Sequence, residues 1–566
     1  MTPSISLGIG ASYKNYLGLF NGLSTFLGTS YYFKGREKRR IKMESGLPLK
    51  PDLLNAKIPE QGERIEISRI EFKQIFPVFH KYYDDHPIGK VVIRNQEKEL
   101  ITDIKVSLLI KQYMDAPKES NTPPELQGGE SREIDLYALF TEKVLDITEG
   151  TKAAAEIILE YELNGVRYKD TKVETIRIYD RNAMTWDDDR KAASFVTAKD
   201  TMVLNFSKKV AGLIREKVSI MLNTNLLTAV GIHEAMDLYG IKYVIDPRTP
   251  YVKFSRNKNQ IDFLQFPRQT LEYGAGDCDD LSILYSALLQ SVGIETAFVT
   301  TPGHIFIAVS TDLKPEEAVK DFFKADELIF REGKAWIPVE VTERGRGFLK
   351  AWRAGAKEWR ENETRDQAGF FPMHAAWEQY EPVGLPGGSS EIVFPAHDRV
   401  LGAYLREVKK ITDQAIYPRV SLLQDEIKRT QGSPKDRNKL GILYAQYGFM
   451  EKAEVEFEKI LSRQDYVPAL VNLGNLHFLK EDWMKALEYY DRAAGKEPSN
   501  PKLLLAIARV HHQLENYGFA KRSYDKLKKI DPELAEKFDY LDLKGEAGAR
   551  AAEVSGLKGV MVWAEE

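Results

Sequence analysis

The residue of this chain with the clearest chemical potential is Cys278, the only cysteine among 566 residues. It follows the glycine-rich turn Gly274–Gly276 and precedes a stretch whose apolar residues recur every three or four positions, as on one helical face. These apolar residues are Leu281, Leu284, Leu288 and Val292. Gly293 then predicts the end of that helix. The spacing therefore predicts Cys278 at a helix N-terminus.

This position bears on the ionisation of the thiol. Unpaired N–H groups and the positive end of the helix dipole favour the thiolate. Three neighbouring carboxylates, Asp277, Asp279 and Asp280, favour the neutral thiol unless they point away or cap the helix. Position alone leaves two interpretations of Cys278 open, a nucleophile and a packing residue.

Two residues further along could assist a thiol nucleophile. His304 stands where a turn meets the predicted strand 305–309, so its imidazole can face a site. Glu340 lies inside the apolar stretch 335–342, predicted as another strand, and a carboxylate buried there needs a partner. In this order Cys278 attacks a carbonyl, His304 takes and returns the proton, and Glu340 fixes the ring tautomer. Taken singly, each residue also has an ordinary structural role.

Four segments carry a resemblance to a known family. They are Gly276-Asp-Cys-Asp-Asp-Leu281, Gly293-Ile294, Pro302-Gly-His304 and Trp336-Ile-Pro-Val-Glu340-Val-Thr342. Residues from roughly 190 to 350 thereby resemble the transglutaminase-like superfamily, a branch of the papain-like cysteine enzymes. The resemblance implies a helix carrying the cysteine, followed by strands carrying the histidine and the acid. The family usually has aspartate in the last motif, and Glu340 is one methylene longer.

The segment Phe263–Leu271 also resembles the family's lead-in to the cysteine. The resemblance implies that Gln265 or Gln269 supports an oxyanion. The alternative for both is a polar surface residue in a loop.

Composition limits the other functions. A net charge of −4, without a basic face, argues against nucleic-acid binding. One cysteine excludes internal disulfides, and this suits a cytosolic chain as well as a periplasmic one with a reactive thiol. The nine histidines are scattered without zinc-binding spacing, so no metal and no cofactor are expected.

The N-terminal residues suggest a location. Residues 1–33 contain two alternating, aromatic-rich runs that resemble a terminal hairpin of an outer-membrane β-barrel. The alternative is an amphipathic or disordered leader. Residues 34–64 form a basic, proline-containing linker. This predicts a periplasmic or outer-membrane-associated protein of a bacterium, attached through 1–33, with a cytoplasmic location as the alternative.

Three regions follow. Alternating strands at 65–185, separated by turn signals such as Asn164-Gly165, predict an immunoglobulin-like β-sandwich. Residues 186–385 form the predicted transglutaminase-like domain. Residues 386–432 contain a linker and a long polar helix at about 396–430.

Residues 433–540 repeat, and 541–566 form a tail. The corresponding positions are Leu440-Gly441, Leu473-Gly474 and Ile507-Ala508; Ala453, Ala486 and Ala520; and Phe457, Tyr490 and Tyr524. The alanine steps of 33 and 34 residues resemble tetratricopeptide repeats. Such arrays offer a surface for peptides or partner proteins; the alternative is a stack that packs only against its own enzyme domain.

The sequence thus predicts a multidomain α+β chain with a β-sandwich, a transglutaminase-like domain and an α-helical tetratricopeptide solenoid. Its predicted function is that of a thiol enzyme, a cysteine protease, amidase or acyltransferase. It would act on amide bonds of a protein or peptide through an acyl-enzyme at Cys278, while the repeats dock a protein partner. The sequence does not choose between water and an amine as acceptor. The alternative function is a non-catalytic, envelope-associated scaffold that binds proteins through its repeats and sandwich.

Overall fold

The computed structural model of the chain describes residues 8–12, 24–28, 64–215, 222–245, 259–322, 324–388, 392–543, 545–554 and 560–565. The chain divides into two units, Met1–Gly62 and Glu63–Glu566. In the first unit, strand β1 (Gly8–Ser12) pairs antiparallel with β2 (Ser24–Gly28). The rest of the predicted hairpin 1–33 lies outside the described residues, and so do residues 34–63 of the predicted linker. The predicted domain boundaries stay predictions.

The second unit begins with a sheet-rich region. Its strands are β3 Ile65–Phe72, β4 Gly89–Asn95, β5 Ile101–Leu109, β6 Lys118–Glu119, β7 Glu125–Leu126, β8 Ser131–Leu136, β9 Thr151–Leu163 and β10 Val166–Ile178. One antiparallel sheet has the order β3–β4–β8, and the other has the order β10–β9–β5–β6 with β7 also on β5. The predicted turn joins β9 to β10, with φ values of 53° at Asn164 and 77° at Gly165. Their immunoglobulin-like arrangement stays a prediction.

Helices and strands then mix along the chain. The strands are β11 Ala183–Thr185, β12 Lys242–Tyr243, β13 Ile261–Phe263, β14 Ala275–Gly276, β15 Thr296–Thr301, β16 His304–Ser310, β17 Ile329–Arg331, β18 Lys334–Val339 and β19 Gly369–Pro372. The helices are α1 Thr201–Arg215, α2 Thr224–Tyr239, α3 Pro267–Tyr273, α4 Cys278–Gln290, α5 Pro315–Asp321, α6 Phe348–Glu363 and α7 Met373–Gln379. An antiparallel sheet in the order β17–β18–β16–β15–β19 carries α4 on one face, against β15 and β16.

Apolar packing joins these two regions. One continuous core of buried side chains extends from Ile65 to Ile411 and includes residues of both. Helix α4 contributes its predicted apolar face to this core, and Gly293, at φ 82°, follows the end of the helix as predicted. The sheet-rich region and the region that carries Cys278 therefore stabilise each other.

A helical region completes the second unit. Its helices are α8 His397–Arg429, α9 Pro434–Gln446, α10 Met450–Leu461, α11 Val467–Leu479, α12 Trp483–Ala494, α13 Pro501–Gln513, α14 Tyr517–Ile530, α15 Pro532–Glu536 and α16 Gly545–Val554. The long helix α8, predicted at about 396–430, packs against α2 near its start and against α9 near its end. From α9 to α14, each helix packs against the next. Among helices of the described ranges, none is both long and apolar enough to cross a membrane.

The repeated residues make equivalent contacts. A Cβ atom on Gly441 of α9 would lie 2.4 Å from the ring of Phe457 on α10. A Cβ atom on Gly474 of α11 would lie 2.3 Å from the ring of Tyr490 on α12. The small residue of one helix thus admits the aromatic ring of the next, in consecutive pairs. This helical region is consistent with the predicted repeat array.

Candidate active site

Cys278 is the first residue of α4 and is 5% exposed. Two of the neighbouring aspartates, Asp279 and Asp280, accept hydrogen bonds from backbone groups. Asp280 Oδ1 accepts a hydrogen bond from the backbone N–H of Gln265 at 2.7 Å, and its Oδ2 accepts one from the N–H of Asp277 at 3.4 Å. Asp279 Oδ1 accepts one from the N–H of Asp280 at 2.7 Å. These carboxylates therefore stabilise the helix start.

Two of the three aspartates are poor anions in this environment. Burial, followed by repulsion from Asp277, raises the pKa of Asp279 and of Asp280 well above the usual range. Protonated carboxyls repel a nearby thiolate less than carboxylates do. The acidic residues around Cys278 therefore destabilise a thiolate less than their formal charge indicates.

His304 connects the cysteine to a carboxylate. As the first residue of β16, it lies beside the start of α4, where its side chain is close enough to Cys278 to lower the pKa of the thiol. Its Nε2 lies 2.6 Å from Glu340 Oε2. The backbone N–H of Ile305 acts on the pKa of the thiol in the same direction. The structure therefore brings Cys278, His304 and Glu340 together, with a hydrogen bond between the histidine and the acid.

The environment of Glu340 corrects one detail of the sequence prediction. Strand β18 ends at Val339, so Glu340 follows the strand instead of lying inside it. The chain turns there because the N–H of Glu340 donates to the Ala351 carbonyl of α6 at 3.0 Å. Glu340 Oε1 accepts from Thr342 N–H at 2.9 Å and from Thr342 Oγ1 at 2.5 Å. The turn thus fixes the buried carboxylate that faces His304.

The three side chains influence one another's ionisation. Burial acts to lower the pKa of His304, but hydrogen bonds to Cys278 and Glu340 raise it to about 11. Burial acts to raise the pKa of Glu340, but hydrogen bonds from His304 and Thr342 hold it below its ordinary value. Burial raises the pKa of Cys278, and His304 opposes this increase. The geometry favours a protonated imidazole beside the sulfur, which is the partner that a thiolate needs.

Helix α6 packs closely against the end of β18 and the backbone of Glu340. A Cβ atom on Gly355 would lie 2.9 Å from the carbonyl carbon of Pro338 and 3.1 Å from the nitrogen of Glu340. Only glycine lets the helix approach β18 this closely. The backbone at Glu340 is therefore set by direct contact with α6.

The two glutamines predicted to support an oxyanion differ in their surroundings. Gln269 Oε1 accepts hydrogen bonds from the N–H of Phe266 at 2.9 Å and from Asn182 Nδ2 at 2.7 Å, so this side chain secures the start of α3. Gln265 is half-buried, and no described group hydrogen-bonds to its buried Oε1. Gln265 thus has the freer side chain, and the oxyanion role of both residues stays a prediction.

Two residues near the site were not singled out from the sequence as functional. Thr342 belongs to the motif that ends the resemblance, Trp336–Thr342, but nothing in its spacing indicates that it hydrogen-bonds to Glu340. Tyr243 on β12 reaches the site because β12 pairs in parallel with β14, directly before Asp277. Burial, followed by the nearby Cys278, raises the pKa of Tyr243 to about 12. No local sequence signal predicts this pairing of distant strands.

Within the described ranges, three groups of side chains bring ligand atoms to within 4.8 Å of one another, close enough to hold a metal ion. They are His233, Glu234 and Asp237; His304, Glu340 and Glu358; and Asp277, Asp279 and Asp280. In the first group, Arg344 already pairs with Asp237 at 2.6 Å. In the second, His304 is engaged with Glu340. These two contacts occupy one carboxylate in each of the first two groups, and the absence of a metal site stays a prediction.

A cysteine at a helix start, beside a strand histidine that is hydrogen-bonded to a carboxylate, is the arrangement of a papain-like thiol enzyme. In agreement with this class, residues 230–341 match the family model of the transglutaminase-like superfamily. The matched range includes Cys278, His304 and Glu340. The chain therefore carries a transglutaminase-like domain.

The chain is also similar to tetratricopeptide repeat protein 8 of Mus musculus. The two are 26% identical over 92 residues, which cover 16% of this chain and 18% of the mouse protein. The chain thus spans about a fifth of that relative. The match agrees with the repeats found in the sequence and with the paired helices.

Proposed function

We propose that the chain is a thiol enzyme that acts on amide bonds of a protein or peptide substrate, while its helical repeats dock a protein partner. The observation that carries this proposal is the placement of Cys278 beside His304, whose imidazole is hydrogen-bonded to Glu340. The transglutaminase-like domain supports cysteine-based chemistry. The similarity to a repeat protein supports protein interaction.

The proposed reaction has two steps. The Cys278 thiolate attacks the carbonyl carbon of the amide, and the electron pair of the C=O bond moves to oxygen. When the C–N bond breaks, His304 gives its proton to the departing amine, and a thioester remains on Cys278. Water or a second amine then attacks the thioester, gives a proton to His304 and releases the thiolate. Glu340 stabilises the imidazolium in both steps, and the Gln265 amide is our candidate for binding the oxyanion.

The pH dependence of Cys278 alkylation by iodoacetamide tests the proposal. Because the chain has a single cysteine, the mass of the intact protein reports this residue alone. We expect wild type to react near neutral pH. In His304→Ala and Glu340→Ala, the apparent pKa of the thiol should rise, because the imidazolium that opposes the effect of burial is removed or weakened.

The chain offers a matched control in His374, an exposed histidine that pairs with a different carboxylate, Glu295. His374→Ala should leave the alkylation profile of Cys278 unchanged. Equal profiles in wild type and all three variants, or no reaction in any of them, would refute a working thiolate.

A second candidate function is a non-catalytic scaffold. The observation in its favour is that Cys278 is 5% exposed and that burial raises its pKa. On this alternative, the helical repeats as a solenoid and the sheet-rich region as an immunoglobulin-like sandwich are the working surfaces. An inert thiol in the alkylation experiment, with a folded protein, is the result that selects it.

A further inference from the structure

A short segment, Val560–Glu565, lies across the helical repeats. We call it the docked segment. It contacts side chains on the first helix of three successive pairs, α9, α11 and α13. Its contacts progress from α13 at Val560 to α9 at Glu565, so the segment crosses the repeats in reverse order.

Two buried asparagines bind the main chain of the docked segment. Asn472 Nδ2 donates to the carbonyl of Ala564 at 2.7 Å, and the N–H of Ala564 donates to Asn472 Oδ1 at 2.8 Å. Asn438 Nδ2 donates to the same carbonyl at 2.8 Å and to that of Glu565 at 3.2 Å. The Asn472 amide therefore hydrogen-bonds to both the N–H and the C=O of Ala564, as the backbone of a neighbouring strand would.

Further side chains extend this main-chain recognition. Asn475 Nδ2 donates to the carbonyl of Val562 at 3.2 Å. Arg509 donates to the carbonyl of Val560 at 2.6 Å, and Lys502 donates to that of Trp563 at 3.0 Å. Because these bonds involve carbonyl groups that any residue possesses, the surface selects an extended backbone more than a particular sequence.

Side chains of the docked segment add a narrower requirement. Ala564 is 1% exposed beside the two asparagines, so this position encloses a small side chain. Trp563 packs against the apolar cluster of the first repeats, and Met561 packs against the next cluster. An aromatic residue followed by a small one is therefore the side-chain pattern that this surface fits.

The asparagines depend on the docked segment for their hydrogen bonds. With the docked segment in place, Asn438 and Asn472 are fully buried, and a buried amide needs hydrogen-bond partners. Asn472 Nδ2 also donates to Asn438 Oδ1 at 2.9 Å, but that bond leaves the other donors and acceptors of the pair to the docked segment. A peptide main chain is the chemistry that satisfies these groups.

We propose that the docked segment is an intramolecular ligand, and that the surface it covers binds an extended peptide of a partner protein carrying an aromatic–small residue pair. The partner must displace the docked segment in order to bind. This inference deepens the docking part of the proposed function and is independent of its thiol chemistry. Alkylation of Cys278 and peptide binding are separate measurements, so either part can fail alone.

The experiment uses the full chain with a specific protease site placed within residues 555–559. After cleavage of the folded protein, the released segment is removed by gel filtration. Binding of a fluorescein-labelled peptide with the sequence of residues 560–566 is then measured by fluorescence anisotropy. We expect the cleaved protein to bind at least ten times more tightly than the uncut protein, in which the docked segment competes.

Two variants of the cleaved protein test the recognition. Asn472→Ala should weaken peptide binding at least tenfold. Asn516→Ala is the matched control, because Asn516 is an exposed asparagine of the same helical region whose side chain does not cap its helix. It should bind like the parent. A peptide with arginine in place of the residue equivalent to Ala564 should not bind.

Four results would overturn the proposal. The cleaved segment could resist exchange with a hundredfold excess of labelled peptide, or its removal could unfold the helices by circular dichroism; either result makes it a permanent part of the fold. Equal affinity of cut and uncut protein would show that the segment does not cover the binding surface. A dimer of the uncut protein, lost on cleavage, would assign the surface to a second copy of this chain.

Discussion

At the scale of single residues, the site depends on how a longer acid is held. Where the superfamily usually has aspartate, this chain has Glu340, and the additional methylene must be accommodated. The turn after β18 does this, because Thr342 donates two hydrogen bonds to Oε1 and leaves Oε2 for His304. The substitution that looked like a departure from the family pattern in the sequence is compatible with a bonded histidine.

Replacing Glu340 by glutamine tests the electrostatic part of this arrangement. In Glu340→Gln the amide oxygen can still accept from Thr342, but the negative charge beside His304 is lost. The contributions of Glu340 that raise the pKa of His304 are then lost, so this pKa should fall from about 11. A weaker imidazolium stabilises the thiolate less, and each unit by which the pKa of the Cys278 thiol rises lowers the thiolate fraction about tenfold. Alkylation of Cys278 at pH 7 should therefore slow by at least tenfold.

NMR titration of His304 in the full chain measures that pKa directly, and the alkylation profile provides the second readout. His374→Ala serves again as the control. An unchanged titration of His304 in Glu340→Gln would show that the carboxylate does not govern the imidazole.

Thr342 is a positioning residue, and its variants separate geometry from charge. Thr342→Val removes the hydroxyl donor to Glu340 and keeps the backbone N–H donor. Loss of this hydrogen bond should reduce the stabilisation of the thiolate by about 1 kcal/mol. Alkylation at pH 7 should then be roughly fivefold slower. Thr342→Ser should restore the wild-type pH profile. If valine and serine shift the profile equally, the hydroxyl does not position Glu340.

At the scale of elements, the sequence predicts best where a periodic pattern and a local contact coincide. The turn Gly274–Gly276 and the apolar spacing predict the start of α4, which begins at Cys278, and Gly293 follows its end at Gln290. The repeat positions Gly441 and Phe457 are in contact, as small and large residues at this spacing predict. The pairing of β12 with β14 was not predicted, because no local pattern encodes contact between distant two-residue strands.

Helix α6 provides a test at this scale. In Gly355→Ala, the new Cβ would meet Pro338 and the nitrogen of Glu340 at 2.9–3.1 Å, so α6 must move away from β18. We expect a loss of about 1–3 kcal/mol in stability to urea and slower alkylation of Cys278. Gly212→Ala in α1 is the matched control, since nothing lies within 4 Å of its Cβ position. It should be neutral or stabilise by about 0.5–1 kcal/mol.

At the scale of the whole molecule, the transglutaminase-like domain meets the helical region at a cluster of buried acids. Glu234 of α2 accepts from the N–H of Phe348 at the start of α6 at 3.0 Å. Glu407 of α8 accepts from the N–H of Leu349 at 3.4 Å. Three helices therefore share one group of carboxylates, and α8 continues from this point to the repeats.

The ionisation of this cluster should set the pH dependence of stability. Burial, with repulsion from Glu407, raises the pKa of Glu234 from 4.5 to about 7, despite the opposing bond from Phe348. Between these values the folded state binds a proton that the unfolded state has lost. The contribution of Glu234 to stability is therefore fully present below pH 4.5 and is lost as pH rises to about 7, a change of about 3 kcal/mol.

Glu234→Gln removes this dependence, because glutamine keeps an oxygen for the N–H of Phe348 and carries no charge. We expect the variant to match wild type at pH 4.5 and to exceed its stability by up to about 3 kcal/mol at pH 8, in urea unfolding at both pH values. Glu451→Gln, which changes an exposed glutamate in α10, should follow wild type throughout. A stability difference between Glu234→Gln and wild type that is the same at both pH values would mean that Glu234 is already ionised in the folded protein. The junction between the domain and the repeats would then tolerate the buried charge, and α8 would hold its position without a proton on α2.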